Sequence, residues 1–145
     1  PVVPGTDGRK MSKSYNNHIC MGDEPELMRK KILGMFTDPE KIYMGDPGHP
    51  ERCPVYMLHQ IYNPEYKIIY EPCLTGSTEW GCVKCKKLLA DIVVSHFEPF
   101  RKKRKEILND KGMLERILFD GAQRARARAG VTVKLVRERM KLLEI

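Results

Sequence analysis

Four stretches of this chain set apolar residues at helical spacing, and proline closes the first three. Leu27, Met28, Ile32, Met35 and Phe36 form the first, broken at Thr37-Asp38-Pro39. Val55, Leu58 and Ile61 or Tyr62 form the second, ended before Asn63-Pro64; Leu88, Leu89, Ile92, Val93 and Phe97 form the third, after which Pro99 restarts the chain. Proline lacks the N–H an interior helical position needs and clashes with the preceding turn, so these runs predict separate helices. A last stripe holds Leu114, Ile117, Leu118, Ala122, Ala125 and Ala129, and continues past Gly130 through Val133, Val136, Met140 and Leu143. Its small residues predict close helix packing. Asp23 and Asp110 are candidate N-caps, and Pro25 suits a first turn. Residues 66–70 are ambiguous between strand and helix and are read as helix from context. His18-Ile19-Cys20-Met21 reads as a short strand or bridge. The whole predicts a mainly α chain, a helical bundle.

Charge is unevenly spread over the 145 residues. The net charge is +7, yet residues 1–98 hold 12 Lys and Arg against 13 Asp and Glu, whereas residues 99–145 hold 14 against 6. The basic character is C-terminal, and concentrated positive charge points to a polyanion partner through counterion release, with a solubilising helix face as the competing explanation. Arg101-Lys102-Lys103-Arg104-Lys105 packs five cations into about a turn and a half, more than Glu98 and Glu106 can neutralise. Arg124 and Arg128 share a face at i, i+4. No apolar run approaches the roughly 20 residues of a membrane helix, so a cytoplasmic protein is expected.

Ahead of the helices lies an almost wholly polar stretch, Gly8-Arg9-Lys10-Met11-Ser12-Lys13-Ser14-Tyr15-Asn16-Asn17. Two lysines three apart, separated by a small hydroxyl residue and flanked by Gly5 and Gly8, place mobile positive charge where backbone can approach an anion. A nucleotide phosphate is the natural partner.

Residues 10–14 spell KMSKS, and the run 4–17 resembles the corresponding loop of tryptophanyl-tRNA synthetases of the bacterial type, class I enzymes that activate tryptophan with ATP. Further blocks resemble the same family: Thr37-Asp38-Pro39, the Asp-Pro-Gly-x-Pro-Glu-x-Cys run over residues 46–53, Gly81-Cys82-x-x-Cys85-Lys86, and Gly121-Ala122-Gln123-Arg124-Ala125-Arg126. The resemblance implies a C-terminal segment beginning near the signature loop. Residues 1–22 would be the end of a severed Rossmann-like catalytic domain, and residues 23–145 a helical, anticodon-binding type of domain. No His-Ile-Gly-His-like motif occurs in these residues, so this segment by itself is expected to be inactive. By the same resemblance Gly8, Lys10, Met11, Ser12, Lys13 and Ser14 contact ATP, with Lys10 and Lys13 catalytic and Met11 a packing anchor. Magnesium would accompany the ATP. The partners implied are tryptophan and tRNA(Trp), the latter met by Arg101, Lys102, Lys103, Arg104, Lys105, Arg124 and Arg128, within a homodimer. The competing reading is a non-enzymatic nucleic-acid-binding helical module stabilised by a metal or cluster.

Five cysteines in a reducing compartment are thiols or metal ligands more often than disulfides. Cys53, Cys73, Cys82 and Cys85 are separated by 19, 8 and 2 residues, with Cys20 outside the set as a small core residue. One C-x-x-C with two distant partners fits an iron-sulfur cluster at least as well as zinc, and free buried thiols stay open as a third reading. Some bacterial tryptophanyl-tRNA synthetases carry a four-cysteine 4Fe-4S site in this region. This chain departs from their spacing in both outer intervals while nearly keeping the overall span. His49 and His59 could replace a ligand, although satisfied loop or helix histidines are the commoner case.

Overall fold

A computed structural model describes residues 2–142; Pro1 and residues 143–145, Leu143 of the last apolar stripe among them, lie outside the described residues. The chain first folds back on itself. Pro4 and Lys10 form an antiparallel bridge, flanked by Met11 N–H on Val3 O at 2.8 Å and Gly5 N–H on Arg9 O at 2.7 Å. A single 3-10 turn, Lys13–Tyr15, follows the tip. His18-Ile19-Cys20-Met21 makes no strand, contrary to expectation.

Helix α1 is Pro25–Leu33, with Glu24 at the N-cap and Pro25 at the first position. Asp23 is not the cap. Its carboxylate is occupied by the Cys20 N–H at 3.0 Å and Lys31 Nζ at 2.6 Å. Helix α2 is Pro54–Tyr62, entered directly from Cys53, and it stops where Asn63 turns extended ahead of Pro64. A 3-10 turn, Tyr66–Ile69, runs into the short α3, Tyr70–Leu74, so the ambiguous segment is helical. Helix α4, Cys82–His96, starts on Gly81. Helix α5 is Glu98–Asn109, and α6 is Lys111–Arg139, capped as expected by Asp110, whose carboxylate accepts the Met113 N–H at 2.9 Å.

The chain divides into two compact units, Pro1–Arg101 and Lys102–Ile145. In the first, α1 and α2 both pack on α4 around a core of Met28, Ile32, Met35, Val55, Leu58, Ile69, Leu89, Ala90 and Val93. Helix α1 and the turn after it bury a narrow stripe at i, i+4 and i+7, which leaves Leu27 and Phe36 exposed. The second unit buries none of its described residues. Leu114, Ile117, Leu118, Val133, Val136 and Met140 are exposed, so the close packing expected from the small residues of α6 is not made within it. Among its described residues that unit offers α6 only the remainder of α5 as a neighbouring helix, too little to cover a helix of 29 residues. No helix among the described residues is long and apolar enough to cross a membrane.

Candidate functional site

The signature loop is a hairpin braced from within. Asn17 is 2% exposed. Its amide Nδ2 donates to Asp7 Oδ1 at 2.7 Å and to Lys10 O at 3.0 Å, while its Oδ1 accepts the Ser12 N–H at 2.8 Å. The Asn17 backbone O takes the Thr6 N–H at 2.8 Å. Asp7 also pairs with Arg9 at 2.7 Å, and the Arg9 guanidinium lies 4.8 Å from the centre of the Tyr15 ring. The hydrogen bond from Asn17 does most to hold the Asp7 carboxyl below its ordinary value, with Arg9 adding to it and burial opposing. Ser12 Oγ accepts the Ser14 N–H at 3.2 Å and so starts the 3-10 turn.

This bracing leaves the two lysines outside. Lys10 and Lys13 are exposed, and neither has an ion-pair partner among the described residues. Met11 lines an apolar pocket with Val3, Ile19, Leu58, Tyr62, Val93 and Phe97. The loop is also tied to the turn after α1, where the Phe36 N–H donates to Thr6 O at 2.7 Å. Two unpaired cations on a hydrogen-bonded hairpin are suited to meeting an anion and ill suited to stabilising the fold.

The four cysteines come from three segments and line one narrow cavity of about 20 Å³, together with Thr37, Lys41, Val55, Tyr56, Ile69, Trp80 and Gly81. That is room for roughly one water. Burial pushes the Cys85 thiol up to about 12, with the neighbouring Cys53, Cys73 and Cys82 adding to the shift. Burial also raises Cys53, against the backbone amides of Tyr56, Val55 and Asp38 that face its sulfur. Cys73 is raised by burial and eased by Lys41. Gly48 permits the convergence: its N–H donates to Cys73 O at 2.9 Å, and a Cβ there would stand 2.9 Å from the Cys73 sulfur. Among the described residues no three His, Cys, Asp or Glu side chains are gathered closely enough to hold a metal ion. The four thiols share the donor chemistry of a soft-metal site but not its spacing. Trp80 leaves its indole Nε1–H buried without a partner among the described residues.

Neither histidine is a free donor. His49 Nδ1 lies 2.8 Å from the buried Asp38 carboxylate, which also accepts the His49 and Glu40 N–H groups. His59, fully buried, sets Nε2 on Cys85 O at 3.1 Å and Nδ1 on the Asn63 amide at 3.3 Å. Because the Asn63 Oδ1 is taken by the Glu65 N–H, its NH₂ faces His59, and the imidazole is the neutral Nε2–H tautomer. Cys20 is exposed, not a core residue. Its neighbour Ile19 is the residue of this segment that packs on the core.

Of the five clustered cations, Arg101 is turned inward, its guanidinium donating to Val94 O at 2.7 Å and approaching the Met28 sulfur at 3.4 Å. Lys102, Lys103, Arg104 and Lys105 are exposed, with Lys103 on Glu106 at 3.2 Å. Arg124 and Arg128 are exposed on α6.

A family profile described as "tRNA synthetases class I (W and Y)" matches residues 1–98. The chain belongs to this family. Among curated relatives of this class I group, a tryptophan–tRNA ligase of Aquifex aeolicus is 41% identical over 98% of this chain and 36% of its own length. One of Thermotoga maritima is 39% identical over 99% of this chain and 44% of its own. Among solved structures, the tryptophanyl-tRNA synthetase of Campylobacter jejuni, complexed with ADP and tryptophan, superposes with a TM-score of 0.81 at 30% identity, covering 98% of this chain and 44% of that one. The chain thus spans less than half the length of these synthetases. Its mainly helical make-up matches the part of the Campylobacter jejuni synthetase on which it superposes, and a non-enzymatic helical module is not favoured. Asn17, Gly48 and Asp38 were not legible as site residues. Asn17 stands in the signature run and Asp38 and Gly48 in the family-like blocks, but which atoms each bonds depends on the closed loops.

Proposed function

We propose that this chain is the C-terminal part of a cytoplasmic tryptophan-tRNA ligase, in which residues 1–22 end the catalytic domain and residues 23–145 form a tRNA-binding helical domain. The observation that carries the reading is the braced hairpin that leaves Lys10 and Lys13 unpaired, on a chain whose relatives are tryptophan–tRNA ligases. In the whole enzyme the tryptophan carboxylate oxygen attacks the α-phosphorus of ATP, the bond to the bridging oxygen breaks, and pyrophosphate leaves with the negative charge. Lys13, with Lys10 beside it, meets that charge as it develops, the kind of contact that accelerates chemistry rather than merely binding substrate. Gly8, Met11, Ser12 and Ser14 shape the loop around the phosphates. Magnesium would share the phosphate charge. The segment alone is expected to be inactive, since no His-Ile-Gly-His-like motif occurs in these residues.

Lys102, Lys103, Arg104, Lys105, Arg124 and Arg128 contact the tRNA(Trp) backbone, supported by their exposure and by the excess of positive charge in residues 99–145. Arg101 belongs with the basic run in sequence, but its contacts hold the start of α5. The whole enzyme works as a homodimer, which rests on family resemblance alone.

Cys53, Cys73, Cys82 and Cys85 would hold a 4Fe-4S cluster, tying the start of α2, α3 and the start of α4 together. Zinc, the alternative, needs sulfurs close enough for bonds of about 2.3 Å to one ion. Four thiols on one cavity support a shared group, and the cavity of about 20 Å³ would have to open to admit a cluster. Protein purified without oxygen is expected to contain iron and visible absorption, both lost on Cys85→Ser; stoichiometric zinc without iron would overturn the cluster.

The function itself is tested by pyrophosphate exchange with the full-length protein. Exchange dependent on tryptophan is expected. Exchange driven by tyrosine and not by tryptophan would sink the proposal.

A further inference from the structure

The braced hairpin has a single polar hub. Asn17 uses both amide hydrogens and its oxygen, on Asp7, on the Lys10 carbonyl and on the Ser12 N–H, so one buried side chain fixes the backbone on either side of Met11. These are the residues that carry Lys10 and Lys13. Gly5 is fitted to the same side chain: a Cβ on it would lie 2.4 Å from Asn17 Cγ and Nδ2. No other residue type matches this demand. Alanine offers no bond. Aspartate still accepts from Ser12 but loses the donation to Lys10 O and sets a second carboxylate against Asp7. Glutamine is a methylene too long for the space beside Gly5.

We propose that Asn17 is a positioning residue for adenylate formation, setting the spacing and direction of Lys10 and Lys13 without touching ATP. The proposal rests on the reading of this loop as the ATP-handling one. Its energetic basis is general: a buried amide that satisfies three backbone or carboxylate groups leaves all of them orphaned when removed. A lysine misplaced by about 1 Å loses on the order of a hundredfold in rate.

The test uses the full-length enzyme and four variants: Asn17→Ala, Asn17→Asp, the exchanged pair Asp7→Asn with Asn17→Asp, and Lys13→Ala as the reference. Single-turnover adenylate formation, tryptophan affinity and hydrogen exchange of the peptide spanning residues 8–17 are measured for each. Expected is a fall in the adenylation rate of about 10- to 100-fold for Asn17→Ala, at least as large for Asn17→Asp, with tryptophan affinity within twofold of wild type. The exchanged pair, which restores an amide-to-carboxylate bond between positions 7 and 17, recovers part of the rate. Faster exchange in residues 8–17 accompanies the loss. An Asn17→Ala rate within twofold of wild type overturns the assignment, as does an equal loss of tryptophan affinity, which would mark a general folding defect. If Lys13→Ala is also unimpaired, the reading of the loop fails; if it is impaired while Asn17→Ala is not, only the role of Asn17 does.

Discussion

Lys13 is where the chemistry of the loop can be measured on one atom. Lys13→Ala in the full-length enzyme is expected to lower the rate of adenylate formation on the order of a hundredfold, about 3 kcal/mol of transition-state stabilisation, with little effect on tryptophan binding. Single-turnover kinetics separate the two. Equal losses in both would contradict the role. Asp7 gives a second residue-scale reading through its pKa. Its carboxyl is held below the ordinary 3.8, first by the Asn17 amide, so ionised Asp7 favours the closed hairpin above about pH 3.8 and that contribution fades as pH falls through the folded value. In Asn17→Ala the Asp7 pKa is expected to climb back towards 3.8, followed by carboxyl NMR titration. An unmoved value would mean that Arg9 controls it.

At the scale of elements, α4 holds the first unit together and α6 stands apart from any such duty. Leu89, completely buried where α1 and α2 meet α4, is expected to cost about 2–5 kcal/mol on replacement by alanine, read by chemical unfolding. Gly121 and Gly130 in α6 have open space where a Cβ would go. Alanine at either should stabilise the helix by about 0.5–1 kcal/mol, and a decrease instead would show that something packs there. The helices were legible because proline and apolar spacing act locally: Asn63-Pro64 and the Asp110 cap each mark a boundary found in the structure, whereas α1 already ends at Gly34, ahead of Thr37-Asp38-Pro39. Caps and faces that depend on neighbours were less so. Asp23 looked like a cap until Lys31, eight residues on, proved to occupy its carboxylate. The stripe on α6 looked buried because periodicity records which side chains share a face, not whether anything covers it. The cysteines show the same limit, since Cys53, Cys73, Cys82 and Cys85, grouped by spacing, line one cavity without forming a metal site among the described residues, and Cys20, read as core, is exposed.

Across the whole molecule, two partners are proposed for two separate regions of the chain, ATP for the hairpin of residues 5–17 and tRNA for the basic helices. Neutralising Lys102, Lys103, Arg104 and Lys105 to glutamine should weaken tRNA binding and make its dependence on log salt shallower, by about 0.7–0.9 for each phosphate no longer neutralised. An unchanged slope would assign those cations to solvation alone. The family was legible from the signature loop because the run is contiguous in sequence and can be read without knowing the fold. The bracing of the loop by Asn17 was not, because it exists only once residues 7, 10, 12 and 17 are brought together. The most direct test compares the two activities of the full-length enzyme, tryptophan-dependent pyrophosphate exchange and charging of tRNA(Trp), in Lys13→Ala and in the fourfold glutamine variant. Lys13→Ala is expected to lose exchange and charging together, whereas the glutamine variant keeps exchange and loses charging through a raised KM for tRNA. Exchange abolished in the glutamine variant, or retained in Lys13→Ala, would contradict the division of labour.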